Sequence, residues 1–418
     1  MLCLFLLLFS LLYLLLARVA PHLDGPNRLF FLLWVLCFLC YFVLCIIILM
    51  TGCSSRYWYW IQLSIIFVGA AVFRLLLLPL PLGLSRDAWR YLWDARVIMH
   101  GYSPYLYAPG DPVLAPLHNV VYANTPYRQF PTKYPPGAEL FYVLGYLFSP
   151  TDLVALKGLF TLCDLVTCGA LAFFLARKRL DPRRVIIYAW CPLPVFEFSI
   201  QGHVDALVIA CTIMAVVCSL SSRRTARLLA GVFLGLAVLT KLYPVLLLLV
   251  LVRRKDWGLL AACAATIVLG YLPFLVLSHG QIAAVVFSFR DQDLLHPSIL
   301  QDTLLMLGRG INVAPETMWT IGRMIEGVVG IIVALVVQIQ RLRGGMSIEG
   351  ALLLLVGMVS SMYSYIFPWY MPALLPWIAA LITPIRRSGK GFSIKGLTIV
   401  ISWLLTEGIL LVYLPDLR

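Results

Sequence analysis

The sequence has few charged residues. Only 12% of its 418 residues are Asp, Glu, Lys or Arg, while 62% are hydrophobic; an ordinary globular domain is about 25% charged and about half apolar. Apolar runs of about twenty residues recur along the chain, which is the length of a helix that crosses a bilayer. The composition therefore excludes a set of soluble domains and predicts an all-α polytopic membrane protein.

The sequence also lacks the patterns of a disulfide framework or a metal site. It has eleven cysteines, but no CxxC pair accompanies a second such pair or a histidine pair at zinc spacing. Most of the cysteines lie within apolar runs, where a thiol behaves as a small hydrophobic group. The N-terminal run over residues 1–16 lacks the basic start of a signal peptide, so we expect a retained first helix.

Basic residues concentrate in five short breaks between the apolar runs, near residues 177–184, 223–227, 253–255, 341–343 and 386–395. Because Lys and Arg are enriched in cytoplasmic loops, we assign these breaks to the cytoplasm. The net charge of +13 then indicates membrane orientation rather than binding to nucleic acid. Residues 83–135 and 279–319 become two outer loops, and the chain is expected to make about 11–13 crossings.

The predicted spans are residues 1–17, 29–50, 60–81, 152–176, 185–200, 203–220, 257–278, 320–338, 348–367, 370–385 and 396–414. Only about 25 residues separate the breaks at 227 and 253, which is too few for two full spans. We therefore predict short or re-entrant helices that meet at residues 240–244. Non-helical backbone at membrane depth requires neighbouring protein or a water-filled cavity, so a cavity open to the outer side is implied.

The first outer loop opens with residues that could perform chemistry. In a helix, Asp87, Arg90, Tyr91 and Asp94 would share one face, because their spacing is i, i+3, i+4 and i+7. A carboxylate in a niche of low dielectric constant can deprotonate a hydroxyl, and guanidinium groups can hold a phosphate. Alternatively, Asp87 caps the helix and pairs with Arg90.

The other candidate functional residues can also be explained by a purely structural role. Tyrosines along the outer loop suit sugar stacking, but Tyr and Trp also anchor proteins at membrane interfaces. His203 and Asp205 form a titratable pair at a predicted outer turn. Lys241 could neutralise an anionic ligand, or its ammonium could extend to lipid headgroups.

In this order, the motifs resemble the multi-spanning glycosyltransferases of the GT-C superfamily, which use a polyprenyl-phosphate sugar as donor. Among these enzymes, the chain most resembles the bacterial polyprenyl-phosphate-mannose-dependent mannosyltransferases of the group related to glycosyltransferase family 87. It resembles the catalytic subunit of GPI mannosyltransferase I more distantly. The motifs are Asp87-Ala88-Trp89-Arg90-Tyr91, Gly101-Tyr102-Ser103-Pro104-Tyr105, Tyr134-Pro135-Pro136, Lys157 with Cys163-Asp164-Leu165, Cys191-Pro192-Leu193-Pro194, Gly202-His203-Val204-Asp205-Ala206, Lys241-Leu242-Tyr243-Pro244 and Trp369-Tyr370-Met371-Pro372.

This resemblance implies a GT-C type bundle with an outer-face active-site loop over residues 60–385. Two additional N-terminal transmembrane helices would occupy residues 1–59, and a cytoplasmic basic loop with a last transmembrane helix would occupy residues 386–418. The implied reaction moves a hexose, with mannose expected, from a polyprenyl-phosphate donor to an acceptor hydroxyl at the extracytoplasmic face, with inversion at C1. The acceptor could be a glycolipid, a glycan or a protein.

The resemblance also assigns roles to residues. Asp87 would be the general base, and Asp94 would orient the acceptor or Arg90. The donor phosphate would be bound by Arg90, Lys241 and His203. Other substrate contacts are expected from Tyr91, Tyr105, Tyr134, Asp205, Trp369 and Tyr370. The GPI enzyme has a Thr-Asp-x-Asp-Tyr element that is absent here, so no cofactor is expected to be required, although a divalent metal stays open.

Two other functions share the overall architecture. A transporter or flippase of a lipid-linked sugar would use the same outer cavity without chemistry, but transporters often contain internal repeats, and no half-to-half repeat is visible. An O-antigen-type polymerase or ligase would centre on a larger outer loop late in the chain. The expected location is a bacterial plasma membrane rather than the endoplasmic reticulum.

Overall fold

The structure is a computed structural model that describes residues 1–19, 28–51, 55–281, 298–362, 367–382, 400 and 402–404. Within these residues the regular structure is helical, without a strand. Two predicted regions fall largely outside them: residues 282–297 of the second outer loop, and nearly all of the predicted C-terminal unit over 386–418.

The α-helices in chain order are α1 (Leu2–Val19), α2 (Arg28–Met50), α3 (Arg56–Leu77), α4 (Asp87–Met99), α5 (Val120–Asn124), α6 (Pro136–Phe148), α7 (Val154–Arg177), α8 (Ile186–Ala189), α9 (Pro192–Pro194), α10 (Asp205–Ser219), α11 (Arg224–Thr240), α12 (Leu248–Leu251), α13 (Trp257–Leu277), α14 (Ile299–Gly310), α15 (Pro315–Leu342), α16 (Ile348–Met362) and α17 (Leu375–Leu381). Residues Val195–Ile200 form a π-helix, and Pro112–Leu117, Pro182–Val185, Tyr243–Leu247 and Pro368–Leu374 form 3₁₀-helices.

Six of the described helices are long and apolar enough to cross a bilayer: α1, α2, α3, α7, α13 and α15. Helices α10 and α16 are also apolar but have only 15 residues each. The chain is therefore an all-α polytopic membrane protein, which confirms the predicted fold class. The total of 11–13 crossings and their orientation stay predictions.

Two of the predicted spans are not formed by a single helix, and their crossing of the bilayer stays a prediction. Residues 185–200 change from α8 to α9 and then to a π-helix, because Pro192 and Pro194 lack the N–H groups that would continue α8. Residues 370–385 begin within a 3₁₀-helix that contains Pro372 and continue as the seven-residue α17. Counting apolar residues misses both breaks, because proline does not lower the hydropathy of a run enough.

The chain also breaks between residues 240 and 244, as the sequence predicts. Helix α11 ends at Thr240, Lys241 is extended with φ −148° and ψ 145°, and a short 3₁₀-helix followed by the four-residue α12 leads to the next basic break. The break places the partly buried Lys241 next to Asp205, the first residue of α10.

The central helices approach closely where their residues are small. Helix α10 packs against α7 and α11, and α11 packs against α13. A Cβ atom on Gly231 would lie 2.3 Å from the carbonyl oxygen of Leu259, and one on Gly235 would lie 3.0 Å from that of Cys263. Glycines four residues apart thus form the small face that lets two membrane helices pack backbone to backbone.

A buried ion pair connects three elements of this bundle. Nε of Arg74 on α3 donates to Oδ2 of Asp164 on α7 at 2.6 Å, and both side chains are fully buried. Nη1 of Arg74 also donates to the carbonyl oxygen of Ala189 at the end of α8, at 2.8 Å. The guanidinium therefore stabilises the carboxylate and satisfies a backbone carbonyl next to the Pro192 break.

Candidate active site

A small, partly open pocket lies where α4 meets the loop that precedes α6. Its lining residues are Asp87, Arg90, Tyr91, Tyr127, Thr132, Lys133 and Tyr134. Helix α4, which forms one wall of the pocket, packs against α6, and the loop before α6 forms the other wall. The structure therefore brings four of the predicted site residues, Asp87, Arg90, Tyr91 and Tyr134, to one cavity.

The start of α4 is fixed by side chains outside the helix. Oε1 of Gln201, which is fully buried, accepts hydrogen bonds from three consecutive backbone N–H groups, those of residues 83–85, at 3.3 Å each. Oγ of Ser85 accepts from the N–H of Asp87 at 3.2 Å. Asp87 is half-buried and lies in the first turn of α4, where the helix dipole favours a negative charge.

Arg90 is held rigidly on the same face of α4. Its Nε donates to both carboxylate oxygens of Asp94, at 2.8 and 2.9 Å, and its Nη1 donates to the carbonyl oxygen of Tyr127 at 3.1 Å. Within the described residues, Nη2 of Arg90 is buried and has no hydrogen-bond partner. Asp94 itself is buried and does not line the pocket, so the structure places it behind Arg90.

Tyrosines form the inner wall of the pocket. The hydroxyls of Tyr91 and Tyr134 are 3.1 Å apart, and the ring of Tyr91 stacks on that of Tyr142 with centroids 4.4 Å apart. The hydroxyl of Tyr105 donates to the carbonyl oxygen of Tyr134 at 2.7 Å. Tyr105 is buried, so the structure places it as a support for Tyr134, behind the lining of the pocket.

A second group of predicted residues surrounds Lys241. Its Nζ donates to Oδ1 of Asp205 at 2.7 Å and lies 4.3 Å from the centroid of the Tyr370 ring. The side chain of Lys241 is 16% exposed. The charges of Asp87 and Lys133 both act on Lys241. The second group therefore lies within electrostatic range of the pocket.

Tyr134 connects the two groups. Burial raises the pKa of Tyr134 well above its usual value, and the charge of Asp87 raises it further, with Tyr370 and Asp205 contributing in the same direction. The phenol is therefore neutral near pH 7 and available for hydrogen bonding.

His203 and Trp369 do not line the pocket. The His203 ring is fully buried and stacks on Trp369 with centroids 3.9 Å apart, and its Nε2 is 3.4 Å from Oε2 of Glu197. The preceding Gly202 has φ +69°, and a Cβ there would lie 2.9 Å from Cγ of Lys157, so this turn requires glycine. The structure does not bring His203 to the pocket, and its contact with a donor phosphate stays a prediction.

The sequence indicates Tyr127 as one of the loop tyrosines that suit sugar stacking, but it does not single out Thr132 and Lys133. Tyr127, Thr132 and Lys133 line the pocket, and Thr132 Oγ1 donates to the fully buried Glu139 at 2.7 Å. The high frequency of Tyr and Pro in this loop is the sequence feature that could have indicated that the loop lines a pocket. Gln201 had no such signal, because its function depends on backbone groups more than a hundred residues away.

The arrangement combines one accessible carboxylate with three cationic side chains. Asp87, Arg90 and Lys133 line the pocket, and Lys241 is close enough for electrostatic interaction. A carboxylate of this kind can accept a proton from a hydroxyl, and the cations can stabilise an anionic group as it leaves. Within the described part of the chain, no group of three or more His, Cys, Asp or Glu side chains is placed to hold a metal ion.

Comparison with protein families identifies a match over the central part of the chain. A family model described as glycosyltransferase family 87 matches residues 132–364, which is more than half of the chain. The matched region includes Tyr134, Asp205 and Lys241, whereas α4 lies before it. No match was found among curated proteins or solved structures.

Proposed function

The chain belongs to glycosyltransferase family 87, and from this premise we propose that it transfers a hexose from a polyprenyl-phosphate donor to an acceptor hydroxyl. Mannose is the proposed sugar, and the extracytoplasmic face is the proposed side of the membrane. Glycosyl transfer follows from the family, whereas donor, sugar and side rest on the resemblance of the motifs and on the charge pattern. The proposed catalytic core comprises residues 60–385, and the proposed location is a bacterial plasma membrane.

The observation that carries the proposal is the accessible carboxylate of Asp87 beside Arg90 and Lys133 in one pocket. In the proposed reaction the acceptor oxygen attacks C1 of the sugar from the side opposite the phosphate. The C1–O bond to the phosphate breaks with both electrons going to the phosphate oxygen, and the acceptor proton passes to Asp87. A single displacement of this kind inverts the configuration at C1.

The departing polyprenyl phosphate gains negative charge, which the cations would stabilise. Arg90 has one nitrogen, Nη2, without a partner among the described residues, and guanidinium groups bind phosphate oxygens with defined geometry. Lys241 would contribute from the second group of residues. Asp94 would act as a positioning residue, because it holds Nε of Arg90 with both of its oxygens.

The remaining predicted residues would shape the binding site. Tyr91 and Tyr134 would contact the sugar directly, since both line the pocket, and Tyr105 would hold the backbone of Tyr134 in place. Tyr370 and Asp205 would orient Lys241. Trp369 and His203 would support this wall from behind through their stacked rings, with His203 retained as a candidate phosphate contact.

The test uses purified protein in lipid nanodiscs with radiolabelled polyprenyl-phosphate-mannose and a lipid extract as the source of acceptor. Wild type is compared with Asp87→Asn and with Asp302→Asn, which alters an exposed carboxylate on α14 outside the pocket. We expect Asp87→Asn to lose activity by about 10² to 10⁴-fold, and Asp302→Asn to match wild type.

Two outcomes would contradict the proposal. Full activity in Asp87→Asn would remove Asp87 from the role of base. Donor binding without turnover in wild type, with every acceptor fraction tested, would instead favour a transporter or flippase of the lipid-linked sugar.

A further inference from the structure

Two loops lie in contact at one end of the bundle, the loop that precedes α11 and the loop that precedes α13. Nη2 of Arg253, in the second of these loops, donates to the carbonyl oxygen of Ser219 at the end of α10, at 2.7 Å. Arg227 is buried and donates to the carbonyl oxygens of Ser219 and Leu251, at 3.0 and 2.8 Å. These hydrogen bonds hold the two loops together as one surface.

This surface carries an excess of positive charge. Its exposed arginines are Arg223, Arg224, Arg253 and Arg254. None of these four forms an ion pair with a carboxylate of the described residues, because Asp256, the acidic residue of the two loops, pairs with Arg227 instead. The positive charges of Arg227 and Arg253 are also close enough to repel each other. The surface therefore favours a bound anion.

Two helix N-termini add to this positive potential. A Cβ on Gly231 would lie 2.3 Å from the carbonyl oxygen of Leu259, and one on Gly270 would lie 2.5 Å from Cδ1 of Leu239. Helices α11 and α13 therefore run parallel and begin at the same end of the bundle. Neither helix has a side-chain cap hydrogen bond at its N-terminus. The positive ends of both helix dipoles thus face the arginines, where they favour an anion.

Apolar side chains lie beside the arginines. Helix α13 is long and apolar enough to cross a bilayer, and its first residue, Trp257, is 73% exposed. Leu228 and Leu229 on α11 are exposed as well, and a Cβ on Gly258 would lie 3.6 Å from Cδ2 of Leu228. Tryptophan is enriched at membrane–water interfaces. The cations therefore lie at the level of lipid headgroups, next to an apolar surface that a free anion would not need.

We propose that the surface formed by Arg223, Arg224, Arg253 and Arg254 binds the phosphate group of an anionic phospholipid, whose acyl chains lie along α11 and α13. The inference goes beyond the proposed transferase function and does not depend on it. Guanidinium groups bind phosphate oxygens with paired hydrogen bonds, and basic surfaces between membrane helices bind anionic headgroups. A bound phosphate would also offset the repulsion between Arg227 and Arg253.

The experiment measures lipid binding to the purified full chain in detergent by native mass spectrometry. The probe is phosphatidylglycerol, and phosphatidylcholine with the same acyl chains is the reference. Arg224→Gln combined with Arg254→Gln removes two charges at exposed positions. We expect this double variant to bind phosphatidylglycerol about 10 to 30-fold more weakly, with binding of phosphatidylcholine unchanged. Arg224→Lys combined with Arg254→Lys keeps both charges and should stay within about fivefold of wild type.

Arg177→Gln combined with Arg179→Gln is the matched control, because it removes the same charge from exposed positions of another basic break. In that break Lys178 pairs with Glu349 at 3.2 Å, so a carboxylate lies among the cations, and we expect the affinity for phosphatidylglycerol to match wild type.

Three results would overturn the proposal. The first is an equal loss of phosphatidylglycerol binding in the two glutamine double variants, which would indicate a diffuse effect of net charge. The second is equal affinity of wild type for phosphatidylglycerol and phosphatidylcholine. The third is displacement of phosphatidylglycerol by inorganic phosphate, which would show that the surface takes a free anion instead of a lipid.

Discussion

The ammonium group of Lys241, which directly follows the end of α11, lies 2.7 Å from Oδ1 of Asp205, the first residue of α10. Each residue lies at the end of a helix, so the ion pair connects two helix ends rather than the faces of two packed helices. The sequence left open whether Lys241 binds an anion or extends to lipid headgroups. Its pairing with a carboxylate argues against the second of these roles, and anion binding by Lys241 stays a prediction.

Replacing Lys241 should weaken the interaction with the donor. Lys241→Met removes the cation and leaves Asp205 uncompensated, so we expect kcat/KM for polyprenyl-phosphate-mannose to fall by about 10² to 10³-fold. Lys241→Arg keeps the charge and should recover part of the activity. The exposed Lys255 provides the control, as Lys255→Met should behave as wild type. Equal activity of the Met and Arg variants at position 241 would show that charge is not what matters there.

Gln201 should act as a positioning residue for Asp87. Gln201→Ala removes the acceptor of three N–H groups ahead of α4, and we expect kcat to fall about 10 to 100-fold because small displacements of a reacting group are costly. Gln201→Glu keeps an oxygen that accepts from the three N–H groups. Because Nε2 of Gln201 has no partner among the described residues, no hydrogen bond is lost, and the Glu variant should retain most of the activity.

A purely structural role of Gln201 would give a different pattern. Both variants would then lower the apparent unfolding temperature in proportion to the activity they lose, with no difference between alanine and glutamate in kcat per folded protein.

Glu139 should make stability depend on pH. Burial, followed by the charge of Asp94, raises the pKa of Glu139 well above its usual value. The folded protein therefore keeps a proton on Glu139 that the unfolded chain releases. The contribution of this proton to the free energy of unfolding is complete below about pH 4.3, and it is lost as the pH rises through the folded-state pKa. Glu139→Gln keeps the acceptor for Thr132 and should flatten this dependence.

The measurement for Glu139 is the apparent unfolding temperature between pH 5 and pH 8. Wild type should lose stability with rising pH more steeply than Glu139→Gln. Glu316→Gln, at an exposed glutamate on α15, should keep the slope of wild type. Parallel slopes for wild type and Glu139→Gln would contradict the assignment of the proton to Glu139.

The contact between α11 and α13 should not tolerate a side chain at Gly231. A Cβ there would lie 2.3 Å from the carbonyl oxygen of Leu259, so the helices must separate, and we expect Gly231→Ala to cost about 1–3 kcal/mol. Gly169→Ala is the matched control, because a Cβ on Gly169 in α7 meets no atom within 4 Å. Thermal unfolding in detergent compares the two, and equal stability would contradict the close approach.

Part of the site follows from local rules and could be predicted. The helical period places Asp87, Arg90, Tyr91 and Asp94 on one face, and α4 confirms this arrangement. The shortage of residues between two basic breaks predicts the interruption at Lys241. Both inferences need only spacing along the chain.

Other parts depend on contacts that no spacing reveals. Asp87 and Asp94 are both within helical reach of Arg90, and only the packing of Arg90 against the carbonyl of Tyr127 shows how its guanidinium is oriented. Gln201 and Glu139 lie in or beside apolar runs and obtain their roles from the loops that fold over them. The left-handed backbone of Tyr127, with φ +52°, has no signal in residue types, because tyrosine is not favoured there.

The ion pair between Arg74 and Asp164 has a consequence for biogenesis. Asp164 lies near the middle of α7, and a charged residue at the centre of a helix opposes its insertion by roughly 2.5–3.5 kcal/mol. Its partner is 90 residues earlier in the chain, so Arg74 has already been synthesised when α7 leaves the ribosome. Helix α7 can therefore enter the bilayer beside a helix that neutralises it, and the order of translation itself favours correct assembly.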